Sequence, residues 1–447
     1  MKTPIFDFVR RYADTDVSRF HMPGHKGQNI LGCEALDITE INGADVLYAA
    51  DGIIAESEQN ASDLFDTAHS FYSTEGSSLA IKAMLGLVTT TRKEKKPLIL
   101  AARNVHKAFI YACALLDFDV EWLYPKENEH LCSCHVSACE VEQKLKVLPY
   151  LPAAVYLTSP DYLGQIADIK GIAAVCHKYG IPLLVDNAHG AYLQFLKPSM
   201  HPIALGADLC CDSAHKTFPV LTGGAYLHIS KEADPTYCEN ARNMLATFAS
   251  TSPSYLTLQS LDLCNRYLAD GYSEKLQAYV KELSQIKKRL ADLGFEAEKT
   301  EPLKLVWNAK KVGYTGVELA DALRTFRIEA EFADADYLVL MVTPEMRTID
   351  HERLLSAFAS IEPRKAIAAE KLSTVETDSK PALSIRRAIF APHEMIPTEM
   401  ANGRVCASPT VSCPPAIPIV ISGEVITKHE ICLLKHYGIQ EVEVVKE

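Results

Sequence analysis

Ile181-Pro-Leu-Leu-Val-Asp186-Asn-Ala-His189-Gly190 is followed along the chain by Gly206-Ala-Asp-Leu-Cys-Cys211 and then Ser213-Ala-His215-Lys216-Thr217. Each apolar run is too short for a helix and leads into polar residues, an aspartate in one case and a Ser-Ala-His-Lys turn in the other. Short, almost wholly apolar strands belong to a parallel sheet covered by helices on both faces. The same alternation runs upstream: strand Pro97-Leu-Ile-Leu-Ala-Ala102, helix Val105 to Leu116, strand Val120 to Tyr124, helix Ala138 to Leu148, strand Ala154-Val-Tyr-Leu-Thr158 and helix Ile169 to Tyr179. The predicted fold class is α/β, a large domain built on a mostly parallel sheet. In such sheets the ligand crevice lies beyond the carboxyl ends of the strands, which is where Thr158, Asp186 and Ser213 to Lys216 all fall.

Beyond Ser254 the texture changes to a long helical stretch, Leu256 to Leu293, then a strand, Leu303 to Asn308, and a helix, Thr315 to Phe326. We read an N-terminal segment (1–50), a large domain (51–255), a smaller α+β domain (256–364), a polar linker (365–380) and a compact C-terminal domain (381–447). The last is proline-rich around Ser412-Cys-Pro-Pro-Ala-Ile-Pro418.

Composition narrows the function. The chain has 447 residues, 48% hydrophobic and 23% charged, as in a folded soluble protein of two or three domains. A net charge of -12 argues against nucleic acid and anionic membrane as partners, because both reward basic surface. A small-molecule substrate fits better. The first residues lack the basic-then-apolar pattern of a secretory leader and no membrane-length apolar run occurs, so a cytoplasmic location is expected. The 13 cysteines are odd in number and scattered, which reads as reduced thiols. His130-Leu-Cys132-Ser-Cys134-His135-Val-Ser-Ala-Cys139 holds metal-ligating residue types but not the paired spacing of a zinc site, so no metal is expected.

An aspartate at the end of one buried strand and a lysine after the next is the pairing that pyridoxal phosphate enzymes need. The Lys216 amine can bond the cofactor aldehyde, and the Asp186 carboxylate can keep the pyridine nitrogen protonated, so that the ring accepts electrons. A phosphate seat is offered by Ser73-Thr-Glu-Gly76-Ser77-Ser78, a glycine turn and two hydroxyls opening the helical run Leu79 to Val88. Taken alone, that segment reads rather as an N-cap serine, and the phosphate reading prevails only in combination with Lys216 and Asp186. His106 could lay its ring on the cofactor or merely cap a helix. Lys107 competes with Lys216 but lacks the preceding Ser-x-His. Ser213 and His215 can add phosphate donors. His189 is close enough in sequence to Asp186 to touch the ring hydroxyl or the substrate carboxylate, or is a satisfied core histidine. Gly223-Gly224 permits close backbone approach beneath the site.

Taken in order, His21-Met-Pro-Gly-His25-Lys26-Gly27, Ser73 to Ser78, Arg103-Asn-Val-His-Lys107, Thr158-Ser-Pro-Asp-Tyr-Leu-Gly164, Val185-Asp-Asn-Ala-His-Gly190, Ser213-Ala-His-Lys216, Ser250-Thr-Ser-Pro-Ser-Tyr255, Pro414 to Ile419 and Gly423-Glu424 resemble the bacterial ornithine/lysine/arginine decarboxylases of the aspartate-aminotransferase fold. The resemblance covers nearly the whole chain. It implies that Lys216 holds the cofactor, Asp186 pairs with the pyridine nitrogen and His106 stacks on the ring. Gly76, Ser77, Ser78, Ser213 and His215 would bind phosphate, with Thr158 and His189 beside the ring. It also implies a homodimer with the active site at the subunit interface, Thr251 and Ser252 reaching the neighbour's cofactor. The chain looks like the short form, beginning close to the His-Met-Pro-Gly-His segment, without the wing domain of the large members. A single acidic residue, Asp45, stands where members often have a pair, and Thr222-Gly-Gly replaces a more polar continuation.

The expected reaction is loss of carbon dioxide from a basic L-amino acid, arginine slightly ahead of lysine and ornithine, with Lys216 or His189 returning a proton to Cα. Which bond breaks is set by orientation, so an aminotransferase or lyase on the same scaffold is the first alternative, with Arg347 a loose candidate for its carboxylate clamp. A silent regulatory homologue is the second. A cationic side chain calls for a carboxylate, and Asp45, Asp161 and Glu424 are the candidates.

Overall fold

Short apolar runs place buried strands between helices, and a computed structural model describes residues 1–91, 96–124, 130–368, 381–409 and 417–446 of this arrangement. The strands are β1 (His69–Ser73), β2 (Leu98–Ala102), β3 (Asp119–Leu123), β4 (Ala154–Thr158), β5 (Leu183–Asp186), β6 (Leu209–Asp212), β7 (Ala225–Ile229), β8 (Lys304–Asn308), β9 (Phe332–Ala333), β10 (Tyr337–Met341), β11 (His393–Pro397) and β12 (Glu441–Val445). The chain divides into two compact units, one formed by Met1–Pro97, Lys144–Leu157 and Ile169–Glu274, the other by Leu98–Gln143, Thr158–Asp168 and Lys275–Glu447.

The first unit carries strands in the order β1-β7-β6-β5-β4. β5 runs parallel to β6 with Asp186 opposite Cys211, while β7 is antiparallel to both β6 and β1. Every residue of β5, β6 and β7 is buried, as two-sided coverage requires. Helix Gly76–Val88 packs on β6 and β7 and on helix Thr236–Phe248. Its buried positions run almost unbroken from Leu79 to Val88, so it is apolar nearly all round and belongs to the interior.

In the second unit β2 and β3 pair in parallel, with helix Lys107–Leu116 between them in sequence. β8-β10-β9 form a small antiparallel sheet. β11 and β12 pair beside helix Lys428–His436, closing a core of Ile419, Val420, Leu433, Leu434, Val442 and Val444.

Two element boundaries differ from the sequence reading. The stretch expected as one helix over 256–293 is two, Tyr255–Ala269 and Tyr272–Asp292. The break falls at Asp270-Gly271, where Gly271 takes a left-handed φ of 75°. The helix expected from Val105 starts at Lys107 because His106 adopts extended backbone and caps it. Most of the expected linker (369–380) and Ser412 to Ala416 lie outside the described residues. None of the twelve described cysteines is in a disulfide, and no described helix is long and apolar enough to cross a membrane.

Candidate active site

Two parallel strands deliver the chemistry of the first unit, and their shared register explains why. β5 ends at Asp186, and β6 ends at Asp212, one residue before the turn that carries Lys216. Lys216 Nζ lies 3.0 Å from His189 Nε2. An ammonium can only donate there, so the neutral His189 tautomer in this contact carries its proton on Nδ1. His189 is buried and Lys216 half-buried.

Asp186 is buried, and its carboxylate accepts from the Ala188 amide (3.1 Å), the Tyr156 hydroxyl (3.4 Å) and the Cys211 thiol (3.6 Å). Burial pushes its carboxyl above the ordinary value, and the nearby Lys216 charge pulls it back. A second cation against this group would favour its ionised form, which is the requirement for holding a proton on a pyridine nitrogen.

The phosphate candidates meet at the start of helix Gly76–Val88. Ser213 Oγ donates to Ser77 Oγ at 2.8 Å, and Ser78 follows in the same half-buried turn. Gly76 has φ 72° and open space where a Cβ would stand, and its amide donates to Gly223 O at 2.7 Å. At Gly223 (φ 95°) a Cβ would meet the Thr74 carbonyl at 2.6 Å, so the close backbone approach expected here is present. His215 Nδ1 lies 3.0 Å from Gly224 O and must donate to it, so a further donation from Nε2 to an anion requires the imidazolium. Lysine, carboxylate and the hydroxyl pair at a helix N-terminus are the donor set that pyridoxal phosphate takes, and this residue set fits it.

A buried network behind these groups was missed in the sequence. Asp212 Oδ2 accepts from His201 Nε2 (3.0 Å) and His228 Nε2 (3.2 Å), and Oδ1 accepts from Asn187 Nδ2 (2.7 Å). His201 Nδ1 accepts from the Ile203 amide, which fixes its Nε2–H tautomer, and Ser70 Oγ meets His228 Nδ1 at 2.8 Å. Burial pushes the Asp212 carboxyl up, but both histidines together hold it well below the ordinary carboxylate range. The network ties Asn187, next to Asp186, to the residue before Ser213. Only the His-Cys-Asp content around 201–212 hinted at it.

Other candidates have local engagements. Both oxygens of Asp45 accept backbone amides, from Val46, Asp51, Gly52, Ile54 and Ala55, at 2.8–3.4 Å. These amides hold its carboxyl down against burial, so Asp45 anchors the start of helix Ile53–Phe65 and does not present an uncommitted carboxylate to a substrate. Thr251 and Ser252 are exposed in a turn fastened by the Ser250 amide to Glu75 (2.7 Å).

The second unit holds His106, Thr158, Asp161 and Glu424. His106 Nδ1 accepts the Ala108 amide at 3.1 Å, so it is a helix cap whatever else its ring does. Asp161 is buried in the turn after β4, bonded by Ser133 Oγ (2.7 Å) and the Gln165 amide (2.9 Å). Glu424 is a buried ion-pair partner of Arg103 (3.2 Å) and accepts the Ile421 amide (2.8 Å). Burial pushes its carboxyl up, and Arg103 opposes that. The proposed clamp Arg347 is exposed and bonded to Asp350 of its own helix start, so it is no carboxylate clamp within this chain. In the 130–139 cluster, His130 Nε2 pairs with Asp334 (2.9 Å) while its Nδ1 accepts the Cys132 amide (3.2 Å), Cys132 is fully buried and Cys134 donates to Leu123 O.

Comparison with known proteins identifies the family. The family model of the Orn/Lys/Arg decarboxylase major domain matches residues 3–314, and that of the C-terminal domain matches residues 365–441. An uncharacterized protein of Bacillus subtilis is 30% identical over 96% of this chain and 93% of its own length. A Bacillus subtilis arginine decarboxylase is 29% identical over 96% of this chain and 92% of its own. A solved Francisella novicida lysine decarboxylase, 15% identical, shares the fold with a TM-score of 0.81 over 99% of this chain and 81% of that one.

Proposed function

Because the chain belongs to the Orn/Lys/Arg decarboxylase family, a family of pyridoxal-phosphate-dependent enzymes, we propose that it removes the α-carboxylate of L-arginine to give agmatine and carbon dioxide, with lysine and ornithine the next candidates. The name carried by the Bacillus relatives supports arginine. The observation that carries the reading is the Lys216–His189 contact of 3.0 Å on a strand pair whose other end residue is the buried Asp186. Pyridoxal phosphate, when bound, supplies an aldehyde for an amine and a protonated ring that takes up the electron pair left by departing carbon dioxide.

The remaining work falls to side chains of this chain. Lys216 Nζ would hold the cofactor aldehyde, and Asp186 would keep the pyridine nitrogen protonated. Gly76, Ser77, Ser78 and Ser213 would seat the phosphate, joined by His215 as its imidazolium. After loss of carbon dioxide a proton must reach Cα, and Lys216 Nζ, once the substrate amine has displaced it from the aldehyde, would be placed to donate it, with His189 Nε2 as its partner. A low-dielectric surround makes the Asp186 charge more effective than in water. We further infer a cytoplasmic homodimer in which Thr251 and Ser252 face the neighbouring subunit's cofactor.

The test is mass spectrometry of products after incubation with the cofactor and, separately, arginine, lysine and ornithine. Agmatine forms fastest, and Lys216→Ala forms none of the three amines. Uptake of cofactor with no amine from any substrate refutes decarboxylation of these amino acids.

A further inference from the structure

The second unit contains a cavity of about 210 Å³ whose wall includes Asn104, Thr158, Asp161, His135, Cys134 and Gln165. Its volume is far above the ~10–15 Å³ that one water needs and below the ~300–1,000 Å³ of pockets that enclose a whole small molecule. It suits the end of a ligand.

Two polar side-chain atoms on this wall are buried without a hydrogen-bond partner among the described residues. Asn104 is 3% exposed, and its Nδ2 donates to Cys132 O at 3.2 Å, which fixes the amide orientation and leaves Oδ1 buried with no hydrogen-bond partner. Thr158 Oγ1, at the end of β4, is likewise buried and unpartnered. Asp161 receives one bond on each oxygen, from the Gln165 amide and Ser133 Oγ, and each oxygen can accept another. Lys304 is engaged with the Asp161 backbone carbonyl at 2.9 Å, and its ammonium is fully buried. Buried orphan acceptors are rare in folded proteins and point to a missing partner. An amide oxygen and a carboxylate only accept, so the partner must donate hydrogens, and the carboxylate makes a positively charged donor with several N–H groups the best fit.

We propose that this cavity binds the ammonium or guanidinium end of a basic amino acid or its amine product, with Asn104 and Thr158 as recognition residues beside Asp161. The identity of the ligand rests on the decarboxylase reading above. The cavity itself does not.

Agmatine and cadaverine are titrated calorimetrically into the full-length, cofactor-loaded protein, its Asn104→Leu variant and its Thr158→Val variant. Thr158→Val keeps the side-chain shape and serves as the safeguard should Asn104→Leu disturb the Cys132 contact. Loss of a hydrogen bond to a charged group raises the amine Kd about tenfold or more in each variant. Affinity of the Asn104→Leu variant for pyridoxal phosphate, read by fluorescence, stays within about twofold of the wild type. The inference is overturned if the wild type binds neither amine, if both variants bind amines as the wild type does, or if the cofactor affinity of Asn104→Leu falls in step with its amine affinity. Failure of the decarboxylase reading shows independently, as absence of amine product from the wild type.

Discussion

Replacing Asp212 by leucine removes the acceptor shared by His201, His228 and Asn187 while nearly conserving volume. Asp212 and both histidines are 0% exposed, so three donors would be left facing a hydrocarbon. An unsatisfied buried donor costs about 1–3 kcal/mol, and the substitution leaves three of them. We therefore expect ~3–5 kcal/mol less stability, a large part of the roughly 5–15 kcal/mol typical of a folded domain. Asparagine at 212 loses less, about 1–2 kcal/mol, because its oxygen still accepts from the histidines and Asn187 can reverse its amide to accept the new NH2. The assay is urea unfolding of the cofactor-free proteins, repeated with cofactor added.

The pH dependence adds a second readout. The folded Asp212 carboxyl lies below its ordinary value of 3.8, so its stabilisation is present above that value and is lost as pH falls through the folded one. Acid sensitivity below about pH 4 is thus steeper in the wild type than in the leucine variant. Because Asn187 adjoins Asp186 and Asp212 adjoins Ser213, cofactor affinity also falls. A leucine variant within about 1 kcal/mol of the wild type, or one no weaker than the asparagine variant, refutes the reasoning.

The Ser213–Ser77 hydroxyl pair, 2.8 Å apart, predicts that Ser77→Ala and Ser213→Ala each weaken cofactor binding about tenfold and that the double variant is less than additive. Additivity in a fluorescence titration would mean that the hydroxyls act separately. Asp262, bonded by Ser57 Oγ and the Phe6 amide, is pushed up to about 6 by burial. Its folded value exceeds the unfolded 3.8, so the stability it contributes is full below pH 3.8 and is lost as pH rises through about 6. Asp262→Asn should erase about 2–3 kcal/mol of this pH dependence, and an unchanged profile of unfolding free energy would exclude Asp262 as its source.

The strands were legible because they are buried on both faces, which leaves uninterrupted apolar runs such as Leu183–Asp186 with their functional residue at the end. Lys216 and Asp186 were legible for the same reason, as charged groups just beyond such runs. The interruption at Asp270-Gly271 was visible as a turn dipeptide but was outweighed by helical periodicity on either side. What the sequence hid are groups whose meaning depends on distant partners. Glu424 pairs with Arg103 across 321 positions, and no local pattern marks either as half of an ion pair. Asp45 offered the charge of a substrate carboxylate, yet its oxygens were claimed by amides a few residues on. Asn104 differs from an ordinary loop asparagine only because Cys132 holds one end of its amide.

The clasp between Gly223 and the turn before helix Gly76–Val88 bears on how this scaffold can be re-engineered. Leu221 and Thr222 are exposed, the Leu221 amide donating to Ser260 Oγ, so the loop after Lys216 can be rewritten there with little resistance. At 223 the Thr74 carbonyl stands where any side chain would begin, and the left-handed backbone compounds the obstacle. A randomised library spanning this loop would therefore return diversity at 221 and 222 and a single residue at 223, with the boundary between tolerance and refusal falling across one peptide bond.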